Sequence, residues 1–457
     1  MPPPGRSILR AGGRVHSVAF AMRAAALCAA AALAACSSWT GGSGDKVPLK
    51  GERISVLSLD SALKPDARIR DLEVRLPRPY RNADWSQPGG VPNHANHHLS
   101  AEGKLDELWR SSAGSGSSSE TQLLAQPVIG DGRVFTLDAA ARLSAFDAES
   151  GRRLWRVSLT PDHEDEGLRG GGVAFAMGRL FVSTGFAAVV AVDPSDGKEI
   201  WRRQVSGPMR AGPTVAGGRV FVVTIANELH ALSAEDGRDL WSHTGIAETA
   251  GLLGGASPAV DGDVVVVAYS SGELLAIRTD NGRVAWSESL SALRRTDPVS
   301  SLAHIKGLPV IDRGRVFAVA NSDRMVAIDL RTGGRVWEQG IGGTESPWVA
   351  GDFVYLVSNG EELVCLSRQD GRIRWVSPLP KWEDEKDKEG RIRWAGPLLV
   401  SDRLIVAGSN REVWSVSPYT GKLLGKLRLP APVLVAPAVA NGTLYFLTED
   451  ADLVALR

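Results

Sequence analysis

Short apolar runs, separated by turns that contain glycine, recur along the chain from Leu105 to its last residue. Residues 127–136 (PVIGDGRVFT) and 258–267 (PAVDGDVVVV) show the unit, which is a short apolar strand, a tight Asp-Gly turn and a second apolar strand. Runs this short with turn residues between them favour β-hairpins over helices. Eight such openings occur, near Pro127, Val173, Pro213, Pro258, Pro309, Pro347, Pro397 and Pro437.

A second pattern follows each opening at fixed spacing: a small residue, a glycine six positions later, and a tryptophan four positions after the glycine. The small residues are Ala145, Ala191, Ala231, Ala276, Ala327, Cys365 and Ser415. The tryptophans, including one ahead of the first full unit, are Trp109, Trp155, Trp201, Trp241, Trp286, Trp337 and Trp375. The seventh unit has Gly425 in place of tryptophan. We interpret each unit as a hairpin whose tryptophan is a packing anchor between neighbouring repeats.

The repeat length indicates the architecture. Successive tryptophans from Trp109 to Trp375 lie 38 to 51 residues apart, and a four-stranded propeller blade takes about 40–45 residues. The sequence therefore predicts an all-β, eight-bladed β-propeller of four-stranded antiparallel blades over residues 105–457. The last unit has three strands before the chain stops, so residues 104–109 are predicted to supply its fourth. Pairing of the two terminal strands closes the ring and removes long exposed edges.

The first 35 residues have the layout of a secretory signal peptide. Arginines precede an apolar run, residues 24–35, that is too short to span a bilayer. The run ends at Leu33-Ala34-Ala35-Cys36, which resembles a bacterial lipobox and makes Cys36 the predicted lipidation site. Residues 36–104 are predicted to be a lipidated tether followed by a docking segment. Because Ser37 follows the cysteine, the resemblance implies the periplasmic face of the outer membrane.

Composition and motifs argue against several function classes. Basic and acidic residues are equal in number, 52 each, so there is no net field to attract nucleic acid. No HExxH, GxSxG, P-loop or CxxC motif is present, and we assign no catalytic residue and no cofactor. His94, His97 and His98 lie close together but without carboxylates or thiols at ligand spacing, so no metal site is predicted. Cys365 is interpreted as a small buried residue and not as a reactive thiol.

The repeat resembles that of pyrroloquinoline-quinone-dependent dehydrogenases, which also have eight blades. That resemblance implies an adjacent cysteine pair beside the quinone and calcium ligands in long insertions. This sequence has no adjacent cysteines, and its units are near the minimal length. A quinone-dependent dehydrogenase or quinone-binding propeller is therefore kept as the alternative function, and a propeller that binds cell-wall components as a third.

From Cys36 to Arg457 the chain resembles the BamB family, lipoproteins of the outer-membrane β-barrel assembly machinery. The resemblance implies a non-enzymatic periplasmic scaffold that binds the periplasmic domains of BamA, alongside other subunits of the complex, and assists insertion of barrel proteins. Unfolded outer-membrane proteins are further candidate ligands. Two loops, residues 249–255 and 301–307, correspond to the partner surface of the family, although their charges differ from the usual ones. The candidate contact residues are Leu252, Leu253, His304 and Lys306.

Overall fold

The computed structural model describes residues 63–164, 170–248, 250–291 and 302–457. These residues form one short 3₁₀-helix, Ala67–Ile69, and 34 β-strands. The strands make eight four-stranded antiparallel sheets and a separate two-stranded hairpin. The predicted signal peptide and the predicted lipidation site Cys36 lie outside the described residues. In the part of the chain that is described, no helix is long and apolar enough to cross a membrane.

Each of the first four blades contains four consecutive strands. The first strand of each blade is the innermost, and these inner strands contact one another around a central channel. Blade 1 contains β2 (Val128–Gly130), β3 (Arg133–Leu137), β4 (Arg142–Asp147) and β5 (Arg153–Ser158). Blade 2 contains β6 (Gly171–Ala176), β7 (Arg179–Thr184), β8 (Ala188–Val192) and β9 (Glu199–Gln204). Blade 3 contains β10 (Thr214–Ala216), β11 (Arg219–Val223), β12 (Glu228–Ser233) and β13 (Asp239–Thr244). Blade 4 contains β14 (Ala259–Asp261), β15 (Val264–Ala268), β16 (Glu273–Arg278) and β17 (Val284–Ser289).

The remaining blades complete the ring. Blade 5 contains β18 (Val310–Asp312), β19 (Arg315–Ala320), β20 (Arg324–Asp329) and β21 (Arg335–Gln339). Blade 6 contains β22 (Trp348–Ala350), β23 (Phe353–Val357), β24 (Glu362–Ser367) and β25 (Ile373–Pro378). Blade 7 contains β28 (Trp394–Val400), β29 (Arg403–Gly408), β30 (Glu412–Val416) and β31 (Leu423–Arg428). Blade 8 contains β32 (Ala438–Ala440), β33 (Thr443–Leu447), β34 (Asp452–Leu456) and β1 (Glu107–Ser112).

Blade 8 closes the ring as predicted. Strand β1, from the N-terminal side of the propeller, pairs antiparallel with β34, and Trp109 lies opposite Ala455. The eight-bladed fold with its terminal closure is therefore confirmed. Between blades 6 and 7 the chain forms a small hairpin of β26 (Trp382–Asp384) and β27 (Glu389–Arg391).

The register within the blades explains the small residue of the repeat. In blade 1, Ala145 lies opposite Phe135 on one side and Trp155 on the other. The two aromatic rings meet with centroids 6.2 Å apart. The same arrangement in blade 6 places Cys365 between Tyr355 and Trp375, whose centroids are 5.9 Å apart. A larger side chain between the two rings would overpack the blade, at a cost of about 1–3 kcal/mol.

The glycine and the tryptophan of the repeat act across blade boundaries. The indole N–H of Trp109 donates to the carbonyl of Ala148 (3.1 Å). A Cβ added to Gly151 would lie only 2.5 Å from atoms of the Trp109 ring. Gly151 also has a φ of 69°, which disfavours any residue with a Cβ. Seven such pairs join neighbouring blades: Trp109–Gly151, Trp155–Gly197, Trp201–Gly237, Trp241–Gly282, Trp286–Gly333, Trp337–Gly371 and Trp375–Gly421.

The missing tryptophan at Gly425 has a topological cause. Gly425 lies on β31 opposite Ser415, the position that holds tryptophan in blades 1 to 6. Its neighbour is blade 8, whose outer strand comes from the other end of the chain. That blade has no hairpin between its third and fourth strands, and hence no turn glycine for a tryptophan to cover. Closure by the two termini thus accounts for the irregular repeat.

A segment before the propeller fills one end of the channel. Residues 80–100 are called here the channel plug. Its two ends lie side by side, since the Tyr80 N–H donates to the His98 carbonyl and the Ser100 N–H donates to the Tyr80 carbonyl. Between these ends the plug contacts the inner strand of every blade, in order from blade 8 through blade 7. The contacting residues are Asn82, Trp85, Ser86, Gln87, Pro92, Asn93, His97 and Leu99.

The plug is a packed part of the core. Trp85, which is 1% exposed, exchanges two backbone hydrogen bonds with Ile129 and stacks on Trp348, with ring centroids 6.5 Å apart. Leu99 is fully buried and bridges to Val400 of blade 7. Burial of two large apolar side chains stabilises this arrangement by several kcal/mol, at about 25 cal/mol per Å².

Candidate partner-binding face

One face of the propeller consists of the loops that link each blade to the next, together with the turns between second and third strands. A cavity of about 770 Å³ opens there at the mouth of the channel. Its wall combines apolar and charged side chains, and Pro88 of the channel plug also lines it, so the cavity ends at the plug. Representative lining residues are Arg210, Leu252, Lys306, Glu345, Arg391 and Trp394.

The structure brings the four candidate contact residues together on this face. The backbone N–H of Leu252 donates to Nδ1 of His304 at 2.9 Å, which fixes the loop after blade 3 to the loop after blade 4. The Lys306 side chain packs over Gly254: a Cβ added to that glycine would lie 3.0 Å from Cε of Lys306. Leu252, Leu253 and Lys306 line the large cavity, whereas His304 lines a smaller one beside it.

His304 is neutral in this arrangement. It is 5% exposed, and burial lowers the pKa of its imidazole to about 4, with Lys306 and Arg210 adding repulsion. Because Nδ1 accepts the Leu252 N–H, the neutral ring carries its proton on Nε2. His304 is therefore a hydrogen-bond acceptor toward its neighbouring loop, and the positive charge on this part of the face comes from Arg210 and Lys306.

The cationic groups at the large cavity differ in their partners. The Lys306 ammonium lies 3.8 Å from Glu345, a carboxyl whose pKa burial raises. Arg391 forms a 2.7 Å ion pair with Glu361. Arg210, which lines both cavities, has no carboxylate partner among the described residues. Arg393, which lines only the large cavity, likewise has no ion-pair partner among the described residues, so Arg210 is the unpaired cation that the two cavities share.

Three features of the face were not identified from the sequence: Arg210, Ile225 and Ile246. Ile225, in the turn between β11 and β12, is 43% exposed, and Ile246, just after β13, is 60% exposed. The amide of Asn227 connects them, since it donates to the Ile246 carbonyl at 2.6 Å and sits two residues after Ile225. No motif marks these residues, because each occupies a loop outside the repeated pattern.

The histidines of the plug have separate structural partners. His94 contacts the Pro309 carbonyl and His98 the Pro77 carbonyl through Nδ1, both at 2.7 Å. His97 lies 3.7 Å from Asp312. Among the residues with described positions, no group of three or more histidine, cysteine or acidic side chains could hold a metal ion.

The residues at the channel do not fit a quinone cofactor with calcium. Cys365 is buried inside blade 6 and does not line the cavity. Four carboxylates line it, Asp323, Glu345, Glu361 and Glu449. Glu345 lies near Lys306 and Glu361 pairs with Arg391, and among the described residues no group of three or more histidine, cysteine or acidic side chains could hold a metal ion. The described chain therefore offers neither a thiol pair beside the channel nor a cluster of free acidic ligands.

Comparison with known proteins identifies the family. A family model described as outer membrane protein assembly factor BamB matches residues 101–165, 139–377 and 381–457. The protein of that name from Salmonella typhimurium is 26% identical over 354 residues, covering 76% of this chain and 88% of its own.

Solved structures agree on the fold. BamB from Moraxella catarrhalis superposes with a TM-score of 0.65 at 17% identity, covering 78% of this chain and 100% of that one. Quinohemoprotein alcohol dehydrogenase from Comamonas testosteroni gives 0.61 at 14% identity, with 80% and 76% covered. At such identities these two likenesses show the propeller alone, whereas the family model spans most of the chain. The chain belongs to the family of the outer membrane protein assembly factor BamB.

Proposed function

We propose that this chain is a lipid-anchored periplasmic scaffold of the outer-membrane β-barrel assembly complex that binds the periplasmic domains of BamA. The observation that carries the proposal is the convergence of Leu252, Leu253, His304 and Lys306 on one loop face of a rigid propeller. These residues come from two loops that a direct hydrogen bond between Leu252 and His304, 52 positions apart, holds together. Assistance of barrel insertion then comes from holding and orienting partners, with no covalent step.

The rigid face suits recognition of a folded domain. Loops on a rigid scaffold are where binding residues concentrate, and the loops here surround a concave site with apolar and charged groups. The scaffold reading also agrees with the misfit of the channel to a quinone and calcium. We therefore propose no enzymatic activity for this chain.

Binding to BamA tests the partner. The full chain in detergent and the periplasmic domains of the cognate BamA would be titrated by calorimetry. The expected result is saturable binding that Leu252→Asp weakens at least tenfold, since a charge would be buried in an apolar contact. Leu154→Asp, on the outer strand of blade 1 and 36% exposed, is the matched control and should bind normally. Absence of binding by the unmodified chain would remove the proposal.

Lipidation is tested separately. Cys36→Ser should abolish incorporation of labelled palmitate and release the protein from outer-membrane fractions, because acyl chains supply about 0.8 kcal/mol per buried methylene. Retention of label in the serine variant would place the modification elsewhere.

A further inference from the structure

A second, smaller cavity lies beside the main one on the same face. This blade 3–4 cleft has a volume of about 170 Å³ and is lined by residues that include Arg210, Ile225, Asn227, Leu252 and His304. Residues 252–255 separate it from the large cavity, because Leu252, Gly254 and Gly255 line both. An engineered apolar cavity of roughly 150 Å³ holds one benzene molecule. The cleft is therefore the size of one large side chain.

The rim of the cleft exposes apolar surface. Ile225 lines it and is 43% exposed, and Ile246 adjoins it through the Asn227 amide and is 60% exposed. The rim is well ordered by backbone contacts, since the Ile225 N–H donates to the Pro208 carbonyl (2.9 Å) and the Ile246 N–H to the Glu273 carboxylate (2.7 Å). Exposed isoleucines held rigidly around a concave site are typical of a protein-binding surface.

Two hydrogen-bond donors accompany this apolar rim. Arg210 lines the cleft with no carboxylate partner in the described chain, unlike Lys306 and Arg391 on the same face. Nε2–H of His304 likewise has no acceptor among the described side chains, since only Nδ1 is engaged, by Leu252. Donors without acceptors next to apolar surface select a ligand that brings its own acceptor, and a guanidinium matches a carboxylate in geometry and charge.

We propose that the blade 3–4 cleft receives a segment of the partner protein with one apolar side chain inserted in the cleft and one adjacent carboxylate, which is bound by Arg210 and Nε2–H of His304 and lies away from Glu248, the carboxylate that also lines the cleft. This inference rests on the proposed function and names the chemistry of its partner. Ile225 and Ile246 close the rim over the inserted side chain. The contact surface therefore extends from the loop after blade 3 back to the turn inside blade 3.

Binding measurements with the full chain and the periplasmic domains of the cognate BamA test the inference. Arg210→Gln should raise Kd about tenfold and reduce the dependence of Kd on NaCl concentration, because one charge pair is lost. Ile225→Ser combined with Ile246→Ser should raise Kd by a similar factor and leave the salt dependence unchanged. Circular dichroism melts should show that both variants remain folded.

Matched controls come from outside the face. Arg331→Gln removes an exposed arginine from the turn between β20 and β21, and Ile200→Ser removes an isoleucine that is also 43% exposed, on the outer strand of blade 2. Both should bind with unchanged affinity. The inference is overturned if the Arg210 and isoleucine variants bind with the affinity of the unmodified chain, or if the controls lose as much affinity as these variants do. The scaffold function stands in either case. No binding by the unmodified chain overturns both.

Discussion

The backbone nitrogen of Leu252 and the Nδ1 atom of His304 are 2.9 Å apart, so two loops of the candidate partner-binding face are joined through an imidazole that accepts a hydrogen bond only while it is unprotonated. Protonation of Nδ1 would remove this acceptor, and the two loops would lose the hydrogen bond that joins them.

Stability should fall in mildly acidic solution because of this histidine. The pKa of His304 is lowered to about 4 by burial, against about 6.5 in an unfolded chain. The folded state thus binds fewer protons than the unfolded state between these values, and its stabilisation, complete above pH 6.5, is lost as pH falls toward 4. His304→Asn keeps an acceptor and cannot titrate.

Urea unfolding at several pH values measures this effect. The slope of unfolding free energy against pH between 4 and 6.5 should be smaller in His304→Asn by up to about 1.4 kcal/mol per pH unit. His94, whose pKa burial also lowers to about 4, should continue to contribute in both proteins. Identical slopes would show that folding does not lower the pKa of His304.

The turn glycines should differ in their tolerance of alanine according to whether a tryptophan covers them. Gly371 (φ 71°) would place a Cβ 2.6 Å from the Trp337 ring, whereas Gly314 (φ 74°) would meet nothing within 4 Å. Gly314→Ala should cost about 1–2 kcal/mol from backbone strain alone. Gly371→Ala should cost a further 1–3 kcal/mol or so from overpacking. Equal losses in denaturant titrations would contradict the role of the tryptophan contact.

Ring closure should depend on Trp109. Trp109→Ala removes the indole hydrogen bond to Ala148 and the contact with the Tyr445 ring, whose centroid lies 5.9 Å away. The expected loss of unfolding free energy is about 3 kcal/mol. Trp382→Ala, in the small hairpin outside the blades, is the control and should have little effect on the same measurement. A small effect of both substitutions would indicate that closure does not limit stability.

The plug should protect the inner strands from exchange with solvent. Trp85→Ala should accelerate amide hydrogen exchange at Ile129 and around Trp348, because these groups lose their stacking and packing partner. Tyr80→Ala changes a residue that is 43% exposed at the end of the plug and should leave those amides protected. Mass spectrometry follows the exchange of these amides. An unchanged exchange rate in the Trp85 variant would mean that the other contacts of the plug hold it in place.

Cys365 should be chemically silent in the folded protein. Burial raises the pKa of its thiol well above the ordinary value, and the residue is fully buried between Tyr355 and Trp375. The thiolate is the reactive form of cysteine. Ellman's reagent should therefore leave Cys365 unmodified in the native protein and modify it fully in the urea-unfolded protein. Rapid labelling of Cys365 in the native state, located by mass spectrometry, would contradict this packing.

The blades could be predicted from the sequence because most of them repeat the same packing arrangement of a small residue, a turn glycine and a tryptophan at fixed spacing. Even the exception at Gly425 follows from where the chain closes. The channel plug has no such signature: Trp85, Gln87 and Leu99 each meet a different blade, so the segment contains no period. Arg210 and His304 come together only when blades 3 and 4 pack side by side, and local sequence does not encode that proximity.

The plug also determines how this scaffold can handle a polypeptide. A propeller with an open axis offers a passage, but here a loop bonded to all eight inner strands occupies the axis. An extended chain cannot be threaded through, and one that enters the mouth must leave by the same opening. Any unfolded protein held by this molecule is therefore held on its outer surface or in the cavity at the mouth, and does not pass through the ring.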